Sequence, residues 1–189
     1  MTLTDAHHRR KQPEQVRRAL LDCAARIAVE QGLANVSIQA VAEAAGVTKG
    51  GLFHHFPNKK ALVDAVFEDL LEQLDHEIDD YLVRDDHPYG RFTRAYVQAV
   101  FSDRKRDPRG SSQALCISMV TDADLRRMWS AWMTDRLERH RGTDTSLQLE
   151  IVRLAADGAW LAFMSQAKGE VFVDADALCE RLIDLTRQV

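Results

Sequence analysis

Cysteine is scarce in this chain. Its three residues, Cys23, Cys116 and Cys179, are odd in number and lie far apart. That argues against a disulfide framework and a zinc ribbon, and it predicts a reduced, cytoplasmic protein. Glycine and proline are also few, at nine and four. No low-complexity tract or internal repeat breaks the chain, so most of it should be ordered. No apolar run approaches the roughly 18 residues of a membrane span. The polar start MTLTDAHHRRKQPEQ holds no signal-peptide core. What the chain does have is 189 residues, 46% of them hydrophobic, enough to bury a core as one large domain or two small ones.

Charge is unevenly spread. Residues 1–60 carry nine Lys/Arg against five Asp/Glu, whereas residues 61–189 carry sixteen against twenty-four. A basic N-terminal third on an acidic body suggests that one end meets a polyanion while the body stays soluble.

The hydrophobic spacing is helical nearly throughout. Pro13 is suited to open a helix, because its missing N–H would have no partner there. Val16, Leu20, Cys23, Ala24, Ile27 and Ala28 then follow three- and four-residue steps, ending at Gly32. Ser37 can cap a second helix carrying Ile38, Val41, Ala42 and Ala45, which Gly46 stops. Thr48 caps a third, very short helix that Pro57 breaks. Asn58 caps a fourth, in which Leu62, Val66, Leu70, Leu74 and Ile78 recur every four residues. Two short helices across a glycine turn form a helix-turn-helix, whose second member enters the major groove of DNA. Further on, RDDHPYG (84–90) reads as a break, RKRDPRG (104–110) as a charged loop and SSQALCISMV as a short apolar helix. The expected fold is all-α, with a helix-turn-helix DNA-binding domain over 10–60 and a second helical domain over 61–189.

Three stretches carry a resemblance: a first helix ending in EQG, then SIQAVAEAAGVTKGGLFHHF, then PNKKAL opening a long helix. Together, over residues 12–65, they resemble the DNA-binding domain of the TetR family of bacterial transcription regulators. Beyond that third of the chain the resemblance extends to architecture alone. It implies a sequence-specific regulator, a repressor released from a double-stranded DNA operator by a small apolar or amphipathic effector, and a homodimer. It implies no cofactor and no membrane.

The implied DNA contacts are Ser37, Thr48, Lys49, Gly50, His54, His55 and Lys59. Lys59 matches the family's phosphate-contacting lysine. Where the family often has tyrosine this chain has Phe53, so no hydroxyl is there to reach a phosphate. Gly50 and Gly51 are weak helix positions, tolerated more readily if DNA approaches closely; for Lys60, surface and DNA readings stand level. A metal at His54 and His55 is disfavoured, since adjacent helical residues point about 100° apart and no further ligand lies at a spacing of three or four. TKGG lacks the pattern of a nucleotide-binding loop, and no nucleophile elbow or zinc-hydrolase helix nominates an enzyme.

In the body, the resemblance implies that the last two helices (about 145–168 and 174–188) pair with their symmetry mates. Leu147, Ile151, Leu154, Ala155, Gly158 and Ala159 would lie at that interface, some of the helix necessarily facing its own core. Phe92, Tyr96, Phe101, Met119, Met128, Trp129, Trp132, Met133 and Met164 would line an effector cavity unless they are plain core. The long fourth helix, near Leu62–Leu74, is the expected lever between ligand and DNA. Three readings stay open beside the repressor: an activator, a ligand-binding protein of the same fold that no longer binds DNA, and a helical enzyme.

Overall fold

The computed structural model describes residues 3–106, 119, 121–165 and 174–187, and every regular element among them is helical. Eight α-helices follow in order: α1 Leu3–Gln31, α2 Ile38–Ala44, α3 Lys49–His55, α4 Lys59–Arg84, α5 Arg91–Arg106, α6 Ala123–Arg139, α7 Leu147–Ser165 and α8 Ala175–Leu185. None of these is long and apolar enough to cross a membrane. They divide into two compact units, residues 1–70 with 111–125 and residues 71–110 with 126–189.

Local chemistry accounts for the helix starts in the first unit. Ser37 Oγ accepts the Ala40 amide at 3.1 Å, Thr48 Oγ1 the Gly51 amide at 3.0 Å and Asn58 Oδ1 the Ala61 amide at 2.8 Å. Each fills a donor that an uncapped helix leaves unpaired. Gly32 and Gly46 take positive φ of 86° and 66° where the chain must leave α1 and α2. One expectation fails. Pro13 lies inside α1 instead of opening it, and the helix starts at Leu3. A proline there offers no N–H to the carbonyl four residues earlier, but the turns on either side carry the helix through. The unit closes around Leu20, Ala24, Val36, Val41, Leu52, Phe56, Leu62 and Phe67, all at most 2% exposed. A fully buried leucine or phenylalanine contributes about 2 kcal/mol by leaving water.

In the second unit α5 packs against α7 and α8. Ile78, Phe92, Tyr96, Val97, Phe101, Val152, Ala156 and Leu182 form its core. The helix expected to stop before a loop at 104–110 instead runs on to Arg106; residues 107–118, with Cys116 and most of SSQALCISMV, lie outside the described residues. Three polar clusters are built into this unit. Arg94, 2% exposed, donates to Asp85 Oδ2 at 2.6 Å, to the His87 and Tyr89 carbonyls at 2.6 and 2.7 Å, and to Thr186 Oγ1 at 3.2 Å. Asp144, equally buried, accepts the Phe92 and Thr93 amides at 3.3 and 2.8 Å and so caps α5 from a distant loop. Arg136 donates to Asp75 and Asp79 at 2.6 and 2.8 Å, with Trp132 Nε1 sharing Asp75 at 2.6 Å. Gly90 lies beside the first two: at φ 69° a Cβ would come within 3.0 Å of Leu149 and 3.2 Å of Arg94 and the Thr186 carbonyl.

Candidate nucleic-acid interface

α2, the Gly46 turn and α3 form the predicted helix-turn-helix in the first unit. α3 is seven residues long and divides by face. Leu52 is fully buried, and the next residue after the helix, Phe56, is 2% exposed. The Arg17 guanidinium lies 5.4 Å over the Phe56 ring, an attraction between cation and π-face that ties α1 to the end of α3. The opposite face is open. Thr48, Lys49, Gly50, Phe53 and His54 are all exposed, and His55 is half-buried with its ring 6.4 Å from Phe56. Ser37 is half-buried and Lys59 exposed.

Gly50 and Gly51 have ordinary negative φ. A Cβ built on Gly50 would meet only Thr48 Oγ1 at 3.9 Å. On Gly51 it would meet Thr48 Oγ1 at 3.4 Å and Val47 Cβ at 4.0 Å. Nothing inside the unit therefore demands glycine at either position.

Lys60, the second lysine of α4, sits between two carboxylates. Lys60 Nζ lies 2.6 Å from Asp64 and 2.9 Å from Asp124, and hydrogen bonds to these two carboxylates, outweighing its slight desolvation, hold its ammonium well above the usual lysine value. The Asp64 partner was readable in the sequence, as a carboxylate four residues on; Asp124 was not. On α1, Arg18 pairs with Asp22 at 2.6 Å and also with Asp69.

In the second unit the predicted interface residues fall on two sides of α7. Leu147, Ile151 and Leu154 are 71%, 50% and 63% exposed, Ala155 and Gly158 are exposed beside them, and Leu161 at 55% extends the stripe. Ala159 faces the other way, 8% exposed in the core. Of the predicted cavity residues, Phe92, Tyr96 and Phe101 are buried in the core, while Met128, Trp129, Trp132 and Met133 are half-buried. Trp129 and Trp132 lie 5.1 Å apart, and Phe101 meets Phe163 edge-on at 5.5 Å. Met119 belongs to the first unit, half-buried, and the Met164 side chain lies outside what is described. An open cleft of about 400 Å³, not foreseen in the sequence, is lined by Leu82, Pro88, Arg91, Arg139, His140, Gly142 and Thr143. His140 stacks on Phe92 at 5.0 Å, and burial pushes its imidazole below the ordinary value.

Two family models cover most of the chain. Residues 20–66 match bacterial regulatory proteins of the tetR family, and residues 90–187 match the tetracyclin repressor-like C-terminal domain. The chain belongs to the TetR family. Among its relatives, the transcriptional repressor KstR2 of Rhodococcus jostii is 40% identical over 58 residues, 31% of this chain and 28% of that protein. The regulator TtgR of Pseudomonas putida is 29% identical over 123 residues, 63% of this chain and 50% of that protein. The matches thus span half or less of the length of these curated relatives. A TetR-like fold is shared with the transcriptional regulator SCO7518 from Streptomyces coelicolor, at TM-score 0.70 and 19% identity over 92% of this chain and 99% of that one. TetR-family regulators bind operator DNA and small-molecule effectors.

Proposed function

We propose that this TetR-family chain is a homodimeric repressor that holds a pseudo-palindromic operator and is released by a small apolar or amphipathic effector. The observation that carries the reading is the outer face of α3, where exposed Thr48, Lys49 and His54 flank a glycine pair that the fold itself does not require. A bare backbone among cationic and hydroxyl side chains suits close approach to a groove, with base edges giving specificity and phosphates giving grip. Lys59, at the head of α4, supplies the phosphate contact. Residues 10–60 act as the reading head and 61–189 as the ligand-binding and dimerisation body. Half-buried Trp129, Trp132, Met128 and Met133 are the best-placed residues to meet an effector, since fully buried core residues cannot do so without repacking.

Binding isotherms on operator and random DNA at several salt concentrations test the head. Lys59→Ala should weaken binding to every sequence alike and lower the salt slope by about one. Lys49→Ala should alter preference at one operator position. Identical profiles for the two variants would remove the division of labour, and no preference for any duplex would sink the regulator reading itself.

A further inference from the structure

α3 exposes a feature that charge does not explain. Phe53 is 48% exposed, and among the described residues of the first unit it is the only large hydrophobic side chain so open to solvent. One turn earlier on the same face lies Gly50, which has no side chain to cover the ring's flank. Beyond its chain neighbours and its own helix backbone, a Cβ there would meet only Thr48 Oγ1, at 3.9 Å. The ring thus stands open on this face beside exposed Lys49 and His54.

Water contact with this ring is unfavourable, and a core role is already taken by Leu52 and Phe56, at 0% and 2% exposure. With no hydroxyl, Phe53 cannot hydrogen-bond a phosphate. The occupant must carry an apolar spot on a polyanion, because the ring lies beside the exposed Lys49 ammonium. In the major groove, base edges present hydrogen-bond donors and acceptors with one apolar exception, the C5-methyl of thymine. We infer that the exposed Phe53 ring reads a thymine methyl group in each half-site. The inference rests on the DNA-binding reading above and adds which base is read and by what chemistry.

The full chain is first used to select its preferred sequence from randomised duplexes. Each thymine of that sequence is then replaced by deoxyuridine, which deletes the methyl and keeps the pairing. Wild type should lose about fourfold at one thymine per half-site, the worth of one buried methyl. Phe53→Ala should bind the thymine operator more weakly and no longer distinguish thymine from uracil there. Phe53→Tyr, which keeps the ring, should retain the distinction. The inference is overturned if no thymine methyl matters, or if Phe53→Ala keeps the wild-type ratio. A selection that yields no preferred duplex would overturn the DNA-binding reading, and this inference with it; a preferred duplex indifferent to uracil would overturn only the inference.

Discussion

Gly50 and Gly51 place two of the weakest helix formers in a helix of seven residues, with ordinary φ and room for a methyl group. Each lowers helix stability by up to about 1 kcal/mol relative to alanine. Alanine at either position should therefore raise the melting temperature while weakening operator binding, a trade typical of functional surfaces. Thermal unfolding and binding isotherms on the same samples check both signs; a variant that gains stability and loses no affinity would show that DNA does not approach there. A second residue-scale prediction concerns His140. Burial lowers its pKa first, helped by Arg136 and Arg91 and opposed by Asp144 and Asp79. The folded chain thus binds fewer protons at this ring than the unfolded chain, so its contribution is complete above about pH 6.5 and shrinks as pH falls below that value. Urea midpoints at pH 7.5 and pH 5 should fall further apart in wild type than in His140→Gln. The residues legible in the sequence were those acting locally: Ser37, Thr48 and Asn58 cap helices three residues away. Asp144 caps across about fifty residues, and no local pattern announces that.

At the scale of the element, periodicity located the helices well and their burial partly. The end of α4 at Arg84 and the start of α5 at Arg91 fall where RDDHPYG predicted a break. Pro13 misled, because a proline suited to a first turn is also survivable inside a long helix. Arg94 was invisible as a core residue: a charged side chain on an amphipathic helix reads as outward. Here Asp85, two loop carbonyls and Thr186 satisfy its guanidinium instead. For α7 the pattern was apolar on more than one side, and only the fold divides it into an inward Leu149, Val152 and Ala156 and an outward Leu147, Ile151, Leu154 and Leu161. An apolar stripe left open on one face fits a helix that meets its own copy. We predict that Leu154→Lys yields a folded monomer. Sedimentation should show the lower mass and circular dichroism an unchanged helix content, while a dimer that persists would move the interface elsewhere.

For the molecule as a whole, the chain folds as two units, each with its own core, and their boundary differs from the charge division read from composition: the first unit takes in residues 61–70 and 111–125, whose five carboxylates offset the basic charge of residues 1–60. α4 begins in the first unit and contributes its residues from Leu71 on to the second. We propose that it transmits effector binding, with its pivot near Leu62–Leu74. An effector that prefers one arrangement of the dimer lowers operator affinity by the ratio of its two affinities. Operator must then lower effector affinity by that same factor. Spin-label distances between the two heads with and without effector should differ, and an unchanged distance would exclude the lever. Effector identity was illegible for a physical reason: the same aromatic and methionine side chains fill a core or line a cavity, and spacing does not distinguish the two.

The cap that Asp144 places on α5 has a consequence in time. The chain is made from its N-terminus, so α5 leaves the ribosome about fifty residues before the carboxylate that receives its Phe92 and Thr93 amides. Until then water holds those donors, and Arg153, which donates to Thr93 Oγ1 at 2.7 Å, follows later still. When α5 leaves the ribosome, residues 1–70 of the first unit have been made, while its residues 111–125 have not. During synthesis, then, the half that reads DNA has most of its parts while the half that would answer to an effector is still waiting for its loop.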